Sequence, residues 1–180
     1  MTPVAQLGLA QSAEDIMHVE AHEWVERFAN NRKLEAIEFG AKDINGSIQP
    51  LFPKAKWTGV DIADGPRVDV VADAATYEHP VQADLIVSCE VFEHAPGWRD
   101  IINNSFRLLK SGGEAIFTCA GRHRPPHSAV DGSFELKPGE HYANVDENEM
   151  IAVMGAAGFI DIQVEYIPVP GDVRAYGRKP

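Results

Sequence analysis

The sequence is short of cysteine, of basic residues and of long apolar runs. It has two cysteines, Cys89 and Cys119, in 180 residues, which excludes a disulfide framework. Its 16 lysines and arginines face 27 aspartates and glutamates, a net charge of −11. Nucleic-acid binding needs clustered basic side chains, so a nucleic-acid partner is disfavoured. No stretch approaches the roughly 20 apolar residues of a membrane-spanning helix.

These absences favour a cytoplasmic location and no membrane partner. The first ten residues lack the basic segment followed by an apolar run that marks a secretory signal peptide. The composition is 44% hydrophobic and 24% charged, which is ordinary for a soluble globular protein. A chain of 180 residues is long enough for one domain with a sizeable core and short for two.

Apolar periodicity predicts alternating helices and strands. Strands are expected at 34–39, 57–62, 68–71, 83–89, 114–119, 159–167 and 172–176. Helices are expected at 12–30, 45–52, 98–109 and 146–157. Such alternation implies right-handed crossovers and a single doubly wound (Rossmann-like) α/β domain with a mostly parallel sheet. The strand at 159–167 alternates apolar and polar residues, which suits a strand near the sheet edge.

The turn after the first strand, Glu38–Gly46, has the features of a ligand-binding turn. Gly40 permits a sharp turn and a close approach of backbone to ligand. A dinucleotide fingerprint would have a second glycine where Lys42 stands, and Asp43 would repel a pyrophosphate. The acids Glu38 and Asp43 instead suit a ligand with positive charge, such as an amino group or a sulfonium.

Two further carboxylates follow neighbouring strands and suit an adenosine. Asp61, at the end of the second strand, can accept both hydroxyls of a ribose. Asp73, followed by Ala74, offers an acceptor for an adenine amino group, although a helix N-cap explains Asp73 about equally well. The ligand is therefore expected to contain adenosine.

Taken in order, these motifs resemble the class I S-adenosylmethionine-dependent methyltransferases. The resemblance covers about Leu34 to Ala120 and continues more weakly to Tyr166. It rests on the acidic-glycine turn, the two strand-end aspartates and later motifs, which read Asp84-Leu85-Ile86-Val87-Ser88-Cys89-Glu90, Val91-Phe92-Glu93-His94 and Leu108-Leu109-Lys110-Ser111-Gly112-Gly113. The turn departs from the usual family pattern in lacking a second glycine.

The resemblance implies S-adenosylmethionine as cofactor and a role for nine residues. Glu38, Gly40 and Ala41 would contact its methionine part, and Asp61 its ribose hydroxyls. Ile62 would pack on the adenine, with Asp73 and Ala74 at its amino edge. Cys89 and Glu90 would border the methionine and the methyl group. The family sheet has seven strands, with an antiparallel strand near the C-terminus.

Histidine is the natural base near neutral pH, and a base is needed where the methyl acceptor is a weak nucleophile such as a hydroxyl. His94 and His127 are the best candidates for this catalytic role. His123, His127 and His141 could also serve as metal ligands, but a proline-rich loop is a poor preformed scaffold for them. No metal is expected.

The sequence thus predicts a methyltransferase acting on a small-molecule or glycan-type acceptor. Residues 1–33 would form an N-terminal helical segment covering the cofactor cleft, and residues 34–180 the α/β domain. The acceptor would be held by this segment and by Gly121–Val145, which has no helical or strand period. Two alternatives stay open, a non-catalytic binding module with the same fold and a nucleotide-dependent oxidoreductase. The oligomeric state is not predicted.

Overall fold

A mixed sheet forms the centre of the molecule. The computed structural model describes residues 19–44 and 46–180. In that part of the chain the sheet has seven strands, which are β1 Glu35–Phe39, β2 Lys56–Asp61, β3 Val70–Val71, β4 Ala83–Cys89, β5 Leu109–Ala120, β6 Ile160–Ile167 and β7 Asp172–Arg178. Their order is β3-β2-β1-β4-β5-β7-β6. The helices are α1 Val19–Glu26, α2 Trp98–Leu108 and α3 Glu147–Ala157.

Strand directions confirm the predicted fold class. β1 to β5 pair in parallel, whereas β7 is antiparallel to both of its neighbours, β5 and β6. β6 lies at the edge, as its alternating pattern predicted. Because β1 and β4 are neighbours, the chain reverses its direction of travel across the sheet between them, and a crevice opens at their carboxyl ends.

The two faces of the sheet pack against different elements. β4 is apolar on both sides: Ile86 joins the core beneath α2 and α3, while Leu85 and Val87 join a second core with Trp24 and Val25 of α1. α2 buries a stripe of residues, among them Ile101 and Ile102, which explains its helical period. α1 therefore packs on one face of the sheet.

The predicted ends of α3 are confirmed. The Asp146 carboxylate accepts hydrogen bonds from the amides of Asn148 and Glu149, which satisfies two otherwise unpaired donors of the first turn. Gly158 ends the helix with a φ of 106°, a left-handed conformation that favours glycine.

Two predicted elements were wrong in extent. The helix expected at 45–52 is only a 3₁₀ turn at Gln49–Leu51; Asn45 itself lies outside the described residues. Pro50 would sit inside the expected helix, where it lacks an amide donor and clashes with the preceding turn. β5 begins at Leu109 rather than Glu114, because the glycine-containing segment continues as an extended chain and pairs with Lys179.

Only part of the predicted N-terminal segment can be compared. The helix expected at 12–30 appears as α1, Val19–Glu26, and residues 1–18 lie outside the described part of the chain. Among the described residues, none of 19–33 lines the cleft. Covering of the cleft by residues 1–33 stays a prediction.

Candidate active site

A cavity of about 920 Å³ opens at the carboxyl ends of β1, β2 and β4. Its walls include every residue assigned to the cofactor or to catalysis from the sequence, namely Glu38, Gly40, Ala41, Asp61, Ile62, Asp73, Ala74, Cys89, Glu90, His94 and His127. Another part of the lining comes from a loop, through Arg124, Pro125, residues 127–130, Gly132 and Phe134. The sequence positions are far apart, and the sheet topology brings them together.

Gly40 is required by the turn that follows β1. Its φ is +76°, and a Cβ placed there would lie 2.1 Å from Cγ2 of Val91. The amides of Gly40 and Ala41 both donate to the carbonyl of Val60, at 2.9 and 3.2 Å. Because these amides are already bonded within the protein, they do not form the amide cradle that a pyrophosphate needs.

Glu38 supplies a buried carboxylate beside this turn. The residue is 6% exposed, and Gln49 Nε2 donates to its Oε2 at 2.9 Å. Burial raises the pKa of Glu38 to about 7, against the opposing effects of the Gln49 hydrogen bond and the Arg67 charge. A cationic ligand group would favour the ionised form and lower this pKa.

Asp61 and Asp73 lie farther along the same wall. The two oxygens of Asp61 each accept one amide, from Lys42 at 3.1 Å and from Ala63 at 2.9 Å. Each oxygen keeps a lone pair for a ligand donor. Asp73 accepts from the amide of Ala75 at 2.8 Å, and the chain continues as a turn, so Asp73 does not cap a helix.

Cys89 ends β4 and Glu90 follows it, and both residues line the cavity. Burial raises the pKa of the Cys89 thiol far above its usual range, so this group is not an activated nucleophile. Glu90 has a φ of +57°, a strained conformation for a residue other than glycine. Its Oε1 accepts from Thr118 Oγ1 at 3.1 Å, and Arg124 Nη2 lies 3.4 Å from its Oε2.

Arg124 ties the loop at 121–145 to the sheet. Its Nη1 donates to Oδ1 of Asp172, whose side chain is completely buried. The Glu90 and Asp172 charges raise the pKa of Arg124 above its usual value. This loop contains no helix or strand, and the ion pairs attach it together with backbone hydrogen bonds, such as that from the Ala143 amide to the Glu93 carbonyl.

His94 and His127 lie together at the loop side of the cavity. Their ring centroids are 5.0 Å apart, and both rings contact Tyr142 at 5.5 and 5.1 Å. Burial and the neighbouring His127 lower the pKa of His94 to about 4. His94 is therefore neutral at neutral pH, the form in which imidazole accepts a proton or binds a metal.

Glu93 is the functional candidate that sequence reasoning missed. Its side chain is completely buried, and His127 Nε2 lies 3.9 Å from its Oε1. Burial and the nearby Glu90 raise its pKa well above the usual range. The spacing Glu90-x-x-Glu93-His94, directly after a buried strand, was the available signal.

The metal set considered from the sequence is not assembled. Among the described residues, neither His123 nor His141 lines the cavity, and neither belongs to a group with metal-ligand spacing. His127 instead faces Glu93 and His94. The fold, and not the spacing of the histidines along the sequence, decides which side chains converge.

Comparison with known proteins identifies the family. Residues 14–164 match a family model described as a methyltransferase domain. The chain belongs to this family, which confirms the class I S-adenosylmethionine-dependent methyltransferases predicted from the motifs. Members use S-adenosylmethionine as methyl donor, so the enzyme class and the cofactor follow from the family.

Curated relatives match over a shorter length. The ubiquinone biosynthesis O-methyltransferase of Pseudomonas fluorescens Pf0-1 is 27% identical over 82 residues, covering 37% of this chain and 35% of the relative. The enzyme of the same name from Pseudomonas putida GB-1 is 22% identical over 116 residues, covering 56% and 50%. The alignments thus span about a third to a half of these relatives' length.

Solved structures share the fold at low identity. Phosphoethanolamine N-methyltransferase 2 of Haemonchus contortus, in complex with S-adenosylmethionine, superposes with a TM-score of 0.67 at 15% identity, covering 91% of this chain and 53% of that one. The N-methyltransferase NodS of Bradyrhizobium japonicum gives 0.62 at 18% identity, covering 93% and 90%. No helix in the described part of the chain is long and apolar enough to cross a membrane.

Proposed function

We propose that this chain transfers a methyl group from S-adenosylmethionine to a hydroxyl oxygen of a small-molecule acceptor. The observation that carries the proposal is the cavity itself. One wall is formed by the strand ends, with Glu38, Asp61 and Asp73. The other is formed by His127 of the loop at 121–145 and by His94, which follows β4. Such a division gives separate places to a cofactor and to an acceptor.

The cofactor would occupy the strand-end wall. Glu38 would accept from the methionine ammonium group, since a half-satisfied buried carboxylate is stabilised by a cation. Asp61 would accept from the ribose hydroxyls. Ile62, which is 79% exposed in the free protein, would be covered by the adenine, with Asp73 and Ala74 at its amino edge.

Cys89 and Glu90 would border the methionine and the methyl group, and Gly40 and Ala41 would contact the methionine part. The sulfonium makes the methyl carbon a strong electrophile, so the protein mainly has to align the acceptor with it. The acceptor oxygen forms the new C–O bond while the C–S bond breaks and its electron pair stays on sulfur, giving S-adenosylhomocysteine.

A hydroxyl must lose its proton to be an effective nucleophile. His94 and His127, the catalytic residues predicted from the sequence, would promote this loss at the acceptor side of the cavity. Two observations support oxygen as the atom that receives the methyl group. One is this histidine pair, and the other is the names of the curated relatives, which state O-methyl transfer. The loop at 121–145 would contact the acceptor and so determine whether it is a glycan or another small molecule.

The cavity favours methyl transfer over the two alternative functions. Against a nucleotide-dependent oxidoreductase, the amides of Gly40 and Ala41 are occupied by Val60 and the turn is acidic. Against a simple binding module, two ionisable histidines lie beside a buried Glu93, an arrangement that costs stability and gives a module no advantage.

Calorimetry with S-adenosylmethionine and with NADH tests the cofactor. We expect micromolar binding of the first and none of the second; the reverse result would overturn the proposal. Release of S-adenosylhomocysteine, followed across a panel of phenols and sugars, then tests the reaction. Cofactor binding without release for any acceptor would favour the binding module.

The cytoplasm is proposed as the place of action. Two free cysteines, Cys89 and Cys119, remain as thiols in the structure, as expected in a reducing compartment. Cell fractionation with an antibody to the chain should recover it with soluble cytoplasmic enzymes. Recovery in a membrane or secreted fraction would contradict this location.

A further inference from the structure

Glu93 has a buried carboxyl group to which the proposed methyl transfer assigns no role. Backbone amides of Glu93 itself and of Ala120 face it, yet neither of its oxygens has a partner in hydrogen-bond geometry among the described residues. The side chain is completely buried, and Glu90 adds a second negative charge nearby. A buried carboxyl group without a hydrogen-bond partner is destabilising, and its ionised form requires a cation such as a metal ion.

Two imidazoles converge on this carboxylate. One ligand atom from each of Glu93, His94 and His127 can be chosen so that all three lie within 4.8 Å of one another. Nδ1 of His94 is also buried with no partner in hydrogen-bond geometry among the described residues. Metal–ligand bonds of about 2.1 Å place the ligand atoms of a tetrahedral site about 3.4 Å apart, so the three side chains would draw closer together around an ion.

We propose that Glu93, His94 and His127 bind a divalent transition-metal ion at the acceptor side of the cavity. Two imidazoles and one carboxylate form a donor set suited to zinc, manganese or ferrous iron. Three protein ligands leave coordination positions open toward the cavity, which His94 and His127 both line. This proposal departs from the sequence prediction that no metal is bound.

The ion would give the histidines a specific part in the reaction, and this part rests on the proposed methyl transfer. An acceptor hydroxyl that coordinates a divalent ion has a lowered pKa and loses its proton to solvent at neutral pH. The resulting alkoxide or phenolate oxygen attacks the methyl carbon, and the sulfur of the cofactor leaves with the C–S electron pair. His94 and His127 remain neutral ligands throughout.

The competing explanation is that Glu93 only orients His127 as a general base. Both explanations predict that Glu93→Gln lowers activity, so activity alone does not separate them. Metal binding separates the two explanations, because a carboxylate that only positions His127 needs no metal ion. Mn²⁺ is a suitable probe, since its electron paramagnetic resonance signal falls on binding and reports free and bound ion without cofactor or acceptor.

The experiment titrates the metal-free protein with Mn²⁺. We expect one tight site in the natural chain, at least tenfold weaker binding in Glu93→Gln and in His127→Asn, and displacement by Zn²⁺. Asp131→Asn is the matched control, because Asp131 is a carboxylate of the same loop that pairs with Lys137 outside the site. This control should bind Mn²⁺ as the natural chain does.

Glu93→Gln keeps the shape of the side chain and replaces a buried carboxyl group with a neutral amide, so the variant should fold; its cofactor affinity, measured by calorimetry, provides the check. Equal Mn²⁺ affinity in Glu93→Gln and Asp131→Asn, or no tight site in the natural chain, would overturn the metal site while leaving methyl transfer intact. Failure to bind S-adenosylmethionine would overturn methyl transfer and not the metal site.

Discussion

The two walls of the cavity are built in different ways. The strand-end wall places Glu38 and Asp61 on neighbouring parallel strands, whose hydrogen-bonded ladder pairs Glu38 with Gly59. The loop wall, residues 121–145, has no helix or strand and is attached through ion pairs of Arg124 and a hydrogen bond from Ala143 to Glu93. A backbone ladder fixes positions with little help from particular side chains, whereas a loop depends on a few of them.

If this contrast is correct, the largest effect should follow from removing the ion pair that attaches the loop. Arg124→Met leaves the buried Asp172 and Glu90 without this guanidinium, and we expect a loss of about 3 kcal/mol in the free energy of unfolding. Urea denaturation measures it. Lys56→Met, which breaks an exposed pair with Glu35, should change stability by less than about 0.5 kcal/mol. Equal losses would show that the loop is held by other contacts.

The strand-end wall should lose affinity rather than stability. Asp61→Ala removes two acceptors proposed for the ribose, and charge-assisted hydrogen bonds of about 1.5 kcal/mol each correspond to roughly 100-fold weaker S-adenosylmethionine binding. Calorimetry measures the affinity, and thermal denaturation checks that the variant is still folded. Asp64→Ala, an exposed carboxylate three residues later, is the control and should bind normally. Unchanged affinity in Asp61→Ala would refute its assignment.

A third test uses the raised pKa of Glu38. The methionine ammonium group needs the ionised carboxylate, so affinity should fall by about tenfold between pH 7.5 and pH 6, because the pKa is about 7 in the free protein. Glu38→Gln should bind weakly and without this pH dependence. A natural chain with pH-independent affinity over the same range would mean that Glu38 does not meet the ammonium group.

The stability of the ligand-free protein should change with pH in the opposite direction to its cofactor affinity. Folding raises the pKa of Glu38 above its value in the unfolded chain, so the folded state binds the proton more tightly. The ligand-free protein therefore gains stability from this group as the pH falls through 7 toward 4.5. Affinity and stability should thus move in opposite directions, which separates loss of binding from acid unfolding.

The smallest expected effect concerns Ile62. Its side chain is 79% exposed, so Ile62→Ala should leave the stability of the free protein unchanged. Covering by the adenine would bury apolar area worth about 1 kcal/mol, which corresponds to roughly fivefold weaker cofactor binding in the variant. Ile151→Ala, an exposed isoleucine of α3, should bind with normal affinity. Equal affinities would place the adenine elsewhere.

Most of the fold could be predicted because its signals are local. The continuous apolar run of β4, the capping pair of Asp146 and Gly158, and the alternating residues of β6 each reflect one element and its immediate burial. The 3₁₀ turn at Gln49–Leu51 could not be predicted as well, because its apolar residues follow a helical period that Pro50 cannot support.

In the candidate site, too, the proximity of some residues could be predicted from the sequence and that of others could not. Glu38, Asp61 and Asp73 follow strands, and carboxyl ends of neighbouring parallel strands meet at one edge of a sheet, so their proximity could be inferred. Glu93 offered only its spacing after β4 as a signal, because its burial depends on the loop that returns from Gly121 and on Ala143 bonding to its carbonyl. His127 was a candidate from the sequence, but its approach to Glu93 depends on the path of this loop.

By itself the sequence determined the order of strands and helices, the acidic turn after β1 and the family, since periodicity, caps and motif spacing are properties of the chain. Only the tertiary structure decided that Glu93, His94 and His127 meet, that the amides of Gly40 and Ala41 are already occupied, and that Arg124 holds the loop. The physical reason is that burial and convergence arise between segments distant in sequence, where local patterns carry no information about distance.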